Sequence, residues 1–160
     1  KQKARGQKFA LETYKYFLRY LKTNYPHLEE EGKDIGLFIG EHMDLEDLIS
    51  PDLLIFEGKK DDLESISKYI MDLLDNTYLS MDTYEFEKPI INKDTKNIYL
   101  RMTGSQFVET PLNFKMLCGV LQKKISQYKA FLGFGAQFEI QDVDASEGIV
   151  DIRIQIENGT

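Results

Sequence analysis

The chain predicts an α+β fold, an antiparallel sheet of about four strands with helices packed against one face. Three observations carry this expectation. Helical periodicity fills the first half, and two pairs of strand-like stretches follow, separated by one more helix. The strand-like stretches fall into hairpin-compatible pairs. No regular strand–helix–strand repeat, the unit of a parallel sheet, appears anywhere.

The first helix is expected over residues 9–22, where Phe9, Thr13, Tyr16, Phe17, Tyr20 and Leu21 share one side. Asn24, Tyr25 and Pro26 end it, and residues 1–8 are expected to be flexible. A second helix is read over 28–42 from Leu28, Ile35, Ile39 and Met43. Gly32, Gly36 and Gly40 recur every four residues, so they stack on one face of that helix. A glycine stripe lets another backbone come close, either as tight helix packing or as the wall of a ligand groove. Residues 44–60 read as an irregular loop whose Leu53-Leu-Ile-Phe56 run is too apolar to stay in water. Asp61 and Glu64 have capping-box spacing ahead of Leu63, Ile66, Ile70, Leu73 and Leu74, which predicts a third helix over 61–76.

Residues 80–87 and 97–102 alternate as strands, with Pro89 and the Asn92 to Asn97 run as the turn between them. A short strand is expected before Thr110. Thr110 then suits an N-cap and Pro111 the first position of a helix over 112–131. Leu112, Met116, Leu117, Val120, Leu121 and Ile125 form its apolar stripe. Gly133 and Gly135 mark its exit. Residues 136–143 and 148–157 predict a hairpin closed by the acidic turn Asp144–Gly148. Ile152, Ile154 and Ile156 alternate with Asp151, Arg153, Gln155 and Glu157, the pattern of a strand with one wet face.

One domain over residues 1–160 accounts for this length, with 42% hydrophobic residues for a core. The net charge of −7 argues against a nucleic-acid surface and against simple attachment to anionic lipid. Basic clusters nevertheless occur at Lys1 to Lys8 and Lys123 to Lys129. No apolar run approaches the length of about 20 residues that a membrane span needs, and no signal peptide is visible. The single cysteine, Cys118, sits beside an apolar stripe and reads as a small buried hydrophobe, in keeping with a reducing compartment.

Catalytic and metal chemistry finds little footing. His27 and His42 lack ligand spacing. Asp142, Asp144 and Glu147 lack the glycine and terminal glutamate of a calcium loop. Gly133-Phe-Gly135 follows a helix instead of preceding one, the wrong context for a phosphate cradle. Cys118 has no base nearby in sequence. No catalytic residue, metal or cofactor is therefore expected.

Four segments, in order, resemble the small core subunits of the TRAPP vesicle-tethering complex, most closely the Bet-three class. These are Phe9-Ala-Leu-Glu-Thr-Tyr14, Lys33-Asp-Ile-Gly-Leu37 with Gly32 before it, and Phe107-Val-Glu-Thr-Pro111 with Leu117-Cys-Gly-Val-Leu121. Glu147-Gly-Ile-Val-Asp-Ile-Arg153 completes the set. The resemblance implies a two-layer α/β plait. It also implies a non-enzymatic scaffold that pairs with a sister subunit or with itself, inside a complex that tethers vesicles and activates a small GTPase. A cytoplasmic protein, peripheral to Golgi or endoplasmic-reticulum membranes, would follow.

The Bet-three class further implies an apolar channel for a fatty-acyl chain, here assigned to Ile35, Gly36, Ile39, Gly40, Leu117, Val120 and Leu121. In that family the chain is attached to a cysteine. The matching position here falls near Asp52, and no cysteine lies there, so either a non-covalent fatty acid or a collapsed channel is expected in place of covalent acylation. The family's tryptophan-bearing strand also has no counterpart, since the chain contains no Trp. For the dimer interface the residues assigned are Tyr14, Tyr16, Tyr20, Leu53, Ile55 and Phe56. An alternative reading is a sensor domain for small hydrophobic ligands, resembling the four-vinyl-reductase type, which shares the plait.

Overall fold

The computed structural model describes residues 2–44, 56–59, 61–77 and 82–158. Helix α1 spans Gln2–Asn24 and leads through a 3-10 turn, Pro26–Glu29, into α2, Gly32–His42. Helix α3 spans Leu63–Asp75. Strands β1 (Glu85–Phe86), β2 (Ile90–Asn92) and β3 (Asn97–Thr103) precede α4 (Leu112–Gln127) and the single turn α5 (Lys129–Leu132). Strands β4 (Phe134–Asp144) and β5 (Ile149–Asn158) close the fold.

Every strand pairing is antiparallel, and the order is β1-β3-β5-β4, with β2 also on β3. β1 and β2 pair with successive stretches of β3, Phe86 opposite Met102 and Ile90 opposite Tyr99. They act as one edge strand interrupted at Lys88-Pro89, as expected for a residue that cannot donate to a ladder. One face of the sheet is buried: Ile98, Leu100 and Met102; Phe134, Ala136 and Phe138; Val150, Ile152, Ile154 and Ile156. The alternation expected of the last strand is borne out. On the opposite face Arg101 grips Asp151 in a two-pronged pair at 2.8 and 3.0 Å, and Arg153 pairs with Glu139 at 2.5 Å.

Helix α3 covers the buried face with Leu63, Ile66, Ile70, Leu73 and Leu74. Its Tyr69 meets Phe56 and Phe134 in edge contacts at 5.4 and 6.1 Å between ring centres. Helix α4 runs beside β4, where Gln122 Oε1 accepts the Phe138 N–H at 3.0 Å. Helix α2 packs on the far side of α4. The fold is thus α+β, an open antiparallel sheet with its helices on one side.

The structure corrects several local expectations. α1 begins at Gln2 instead of Phe9, because residues 2–8 are mostly strong helix formers. The cap of α3 is Asp62, not Asp61: its extended backbone lets the carboxylate accept from Glu64 N at 3.2 Å and Ser65 Oγ at 2.7 Å. Residues 90–92, read as part of a turn, form β2. The reversal narrows to 93–96, where Asn92 Oδ1 accepts from the Asp94 and Thr95 amides. No strand precedes Thr110, since residues 106–109 form turns. The Thr110 hydroxyl bonds back to the Phe107 carbonyl at 3.3 Å instead of capping α4. The helix expected over 112–131 is broken at Tyr128, whose backbone (φ −109°, ψ 16°) leaves the helical range. Gly133 does end it, at φ 86°.

Candidate interaction surface

The feature that stands out is the outer side of α1. At about 100° per residue, Phe9, Thr13, Tyr16, Phe17 and Tyr20 fall within roughly a third of the helix circumference. Phe9 is 74% exposed, Tyr16 63%, Phe17 54% and Tyr20 58%. The body of the protein takes the other side. Leu18 is buried there, and Leu11, Tyr14 and Leu21 pack against the core. Tyr14 donates its hydroxyl to Asn113 Oδ1 at 2.9 Å and lies against Phe107, 5.7 Å between ring centres. Lys15 reaches Gln106 at 3.2 Å, and Lys22 Nζ donates to the Glu109 carbonyl at 2.5 Å. The helix therefore has two apolar sides: one packs against the core, and the other stays exposed.

The aromatic strip continues past the end of α1. Tyr25 stands 6.4 Å from Tyr20, and His27 is 6.4 Å from Tyr25. On α2, Phe38 is exposed, with its ring 4.5 Å from that of His42. Asp34, Phe38 and Glu41 share the side of α2 opposite its glycines. Both histidines are surface groups.

Charge divides along the chain. Residues 1–24 hold seven Lys or Arg and one acid, Glu12, for a net +6; the remaining residues hold 13 basic against 26 acidic, for a net −13. Residues 25–44 alone carry six acids and one lysine, net −5. Arg5, Lys8 and Arg19 flank the aromatic arc, and Arg19 sits 5.1 Å over the Tyr16 ring. Among the described residues no ion pair joins α1 to the 25–44 segment.

The glycine stripe of α2 is used for packing. A Cβ on Gly36 would lie 2.0 Å from the Met116 carbonyl oxygen, and one on Gly40 2.9 Å from that of Val120. Gly36 and Gly40 therefore border the backbone of α4 and no open space. Leu117 and Leu121 belong to the central core, Val120 is buried beside Gly40, and Ile35 and Ile39 are half-buried on α2. Lys124, almost fully buried, donates to the Met43 carbonyl just past α2 and to Gln127 at 3.2 Å. A cation at that place suits the negative end of a helix dipole.

Of the residues assigned to an interface, Tyr16 and Tyr20 lie on the exposed strip. Tyr14 and Phe56 turn their rings inward, Phe56 against Tyr69 and Phe134. Leu53, Ile55 and Asp52 lie outside the described residues. Reading the sequence passed over Phe9, Phe17, Tyr25 and Phe38 as surface candidates. The available signal was the second apolar side of α1, since Leu11, Tyr14, Leu18 and Leu21 already suffice to seat it.

Cys118 is buried, and loss of solvent pushes its thiol up to about 12. Among the described residues no group of three or more His, Cys, Asp or Glu side chains converges as a metal site, and no helix is long and apolar enough to cross a membrane.

No protein-family model matches the chain, and no curated protein matches it. Among solved structures it is similar to subunit 3 of a trafficking protein particle complex from Naegleria fowleri, covalently bound to palmitic acid. The two are 15% identical, with 98% of this chain and 97% of that chain covered and a TM-score of 0.45.

Proposed function

We propose that this protein is a non-enzymatic scaffold subunit of a TRAPP-like vesicle-tethering complex. Its part in that complex is to pair with a sister subunit or a second copy through the outer side of α1. The observation that carries the reading is the exposed aromatic strip Phe9, Tyr16, Phe17 and Tyr20 gathered on one side of a single helix. Tyrosine, phenylalanine and arginine together are the residues that enrich the centres of protein interfaces. The four ordered sequence segments supply the family, and with it an indirect role in nucleotide exchange on a small GTPase and a cytoplasmic place beside Golgi or endoplasmic-reticulum membranes. With the α2–α4 seam closed at Gly36 and Gly40, an acyl guest would have to lie elsewhere in the helical layer.

Co-expression with small core TRAPP subunits of the same genome tests the scaffold role. The expected result is co-elution as a stoichiometric pair that Tyr16→Ser/Tyr20→Ser disrupts while the variant stays folded. A wild-type chain that binds none of them and runs as a monomer at micromolar concentration would defeat the reading. Native mass spectrometry tests the guest separately, by a fatty acid's mass above that of the bare chain.

A further inference from the structure

The solvent face of the sheet, away from the helices, holds a hollow of about 380 Å³. Two irregularities of the sheet shape it. On one side the outermost strand breaks at Lys88-Pro89. Glu87 N still donates to the Arg101 carbonyl at 2.9 Å, and pairing resumes only at Ile90, opposite Tyr99. On the other side β4 bulges: Ile140 faces Ile152 and Asp142 faces Asp151, which leaves Gln141 as the extra residue at the rim. Arg101 of β3 and Asp151 of β5 form the floor between break and bulge.

We propose that this hollow binds a free amino acid with an apolar side chain, held as a zwitterion. It lies on the face that carries no helix, so the proposal stands apart from the scaffold reading.

The charges select the ligand. Arg101 spends Nε and Nη2 on the two oxygens of Asp151, at 2.8 and 3.0 Å, which fixes the plane of the guanidinium. Its Nη1 has no partner among the described residues, and Lys88, which lines the same hollow, enters no ion pair there. These two cations can take a carboxylate. Glu87 is likewise without an ion pair among the described residues, Asp151 keeps lone pairs beyond those given to Arg101, and Gln141 offers an amide oxygen. An ammonium group therefore finds acceptors as well. A simple anion would meet Glu87, Asp151 and Asp142, whose charge also acts on Arg101. A simple cation would meet Arg101 and Lys88. A ligand carrying both charges is paired at both ends, and each single charge is rejected by one of the sets.

The remaining wall is apolar. Tyr99 lies two residues from Arg101 on the same face, and Ile90 opposite it is 69% exposed. An aliphatic or aromatic side chain laid over the two removes that surface from water. The volume is at the small end of ligand pockets, which suits a molecule of amino-acid size.

The test is isothermal titration calorimetry of the full chain with L-leucine. Single-site binding with a Kd below about 1 mM is expected. Isocaproate, which lacks the ammonium group, and isoamylamine, which lacks the carboxylate, should each bind at least about tenfold more weakly. Arg101→Gln should weaken leucine binding about tenfold, and Lys88→Ala, at an exposed break in the edge, about threefold. Circular dichroism establishes whether Arg101→Gln keeps its fold; if it does not, Lys88→Ala carries the comparison. Absence of binding by both leucine and phenylalanine up to about 10 mM would overturn the proposal. Equal affinity for isoamylamine or isocaproate would overturn it too, since the hollow would then serve one charge only. So would leucine binding that neither substitution weakens, which would place the site elsewhere on the chain. None of these outcomes bears on pairing through α1, which co-elution reads separately.

Discussion

Gly36 and Gly119 meet where α2 crosses α4. A Cβ added to Gly119 would stand 2.9 Å from the Gly36 carbonyl carbon and 2.2 Å from the Lys33 carbonyl oxygen. Each helix contributes a glycine, and the backbones touch where side chains would ordinarily separate them. The Lys33–Leu37 and Leu117–Leu121 segments, singled out in the sequence for different reasons, are two halves of one contact.

Gly36→Ala should therefore destabilise the fold by about 3 kcal/mol, since its new carbon meets backbone that cannot step aside. Gly6 offers the contrast. It lies in α1 with nothing within 4 Å of an added Cβ, and Gly6→Ala should gain about 0.5 kcal/mol from helix propensity. Urea unfolding midpoints of the two variants should move in opposite directions.

Cys118 should not react with a maleimide in the native protein near neutral pH. Burial closes access to the sulfur, and a thiol pushed up to about 12 remains protonated. Mass spectrometry should find one label in denaturant and none in buffer. Rapid labelling of the folded chain would mean that the seam between α4 and its neighbours opens readily.

Tyr14→Phe removes the hydroxyl that donates to the fully buried Asn113 and should cost about 1 kcal/mol. Tyr16→Phe, on the exposed side of the same helix, should leave the unfolding free energy unchanged. Equal effects of the two substitutions would contradict the two-sided description of α1.

Acid stability should depend on two carboxylates, Asp62 at the cap of α3 and Asp144 in the turn between β4 and β5, where its Oδ1 accepts from the Ser146 and Glu147 amides. Asp62 is held below its ordinary value of 3.8 chiefly by the Ser65 hydroxyl, and Asp144 likewise by Ser146 and the Glu147 amide. With folded values below unfolded ones, the native state binds fewer protons near pH 4, so their stabilisation is present above that range and lost as pH falls through it. Asp62→Asn/Asp144→Asn keeps an acceptor oxygen at both places and removes the titration. Thermal melts from about pH 6 to pH 3 should fall less steeply for this variant than for wild type.

What could be read in advance follows from how local each determinant is. The alternation of Ile152, Ile154 and Ile156 requires only that one face be dry, and it identified β5 within a residue or two. The helical stripe of α3 and the glycine exit at Gly133 are equally local. β2 escaped notice because three residues are too few for a period of two, and its place depends on pairing with β3. The cap at Asp62 instead of Asp61 turns on one residue's backbone angles. Which side of α1 faces inward is a tertiary matter. The helix carries two apolar stripes, and the one holding Leu18 meets the segment before α4 while the aromatic one does not. The glycine stripe was legible as a place of close approach, but what approaches it, the backbone of Met116 and Val120, became clear only in three dimensions.

Both margins of the sheet are obstructed. On one, Gln122 takes up an amide of β4 and α4 lies alongside it; on the other, Lys88 and Pro89 interrupt the outermost strand. Each device covers part of an edge whose free backbone groups would otherwise invite an added strand. Strand-to-strand contact between neighbouring copies is thereby made harder at those places than along a bare strand.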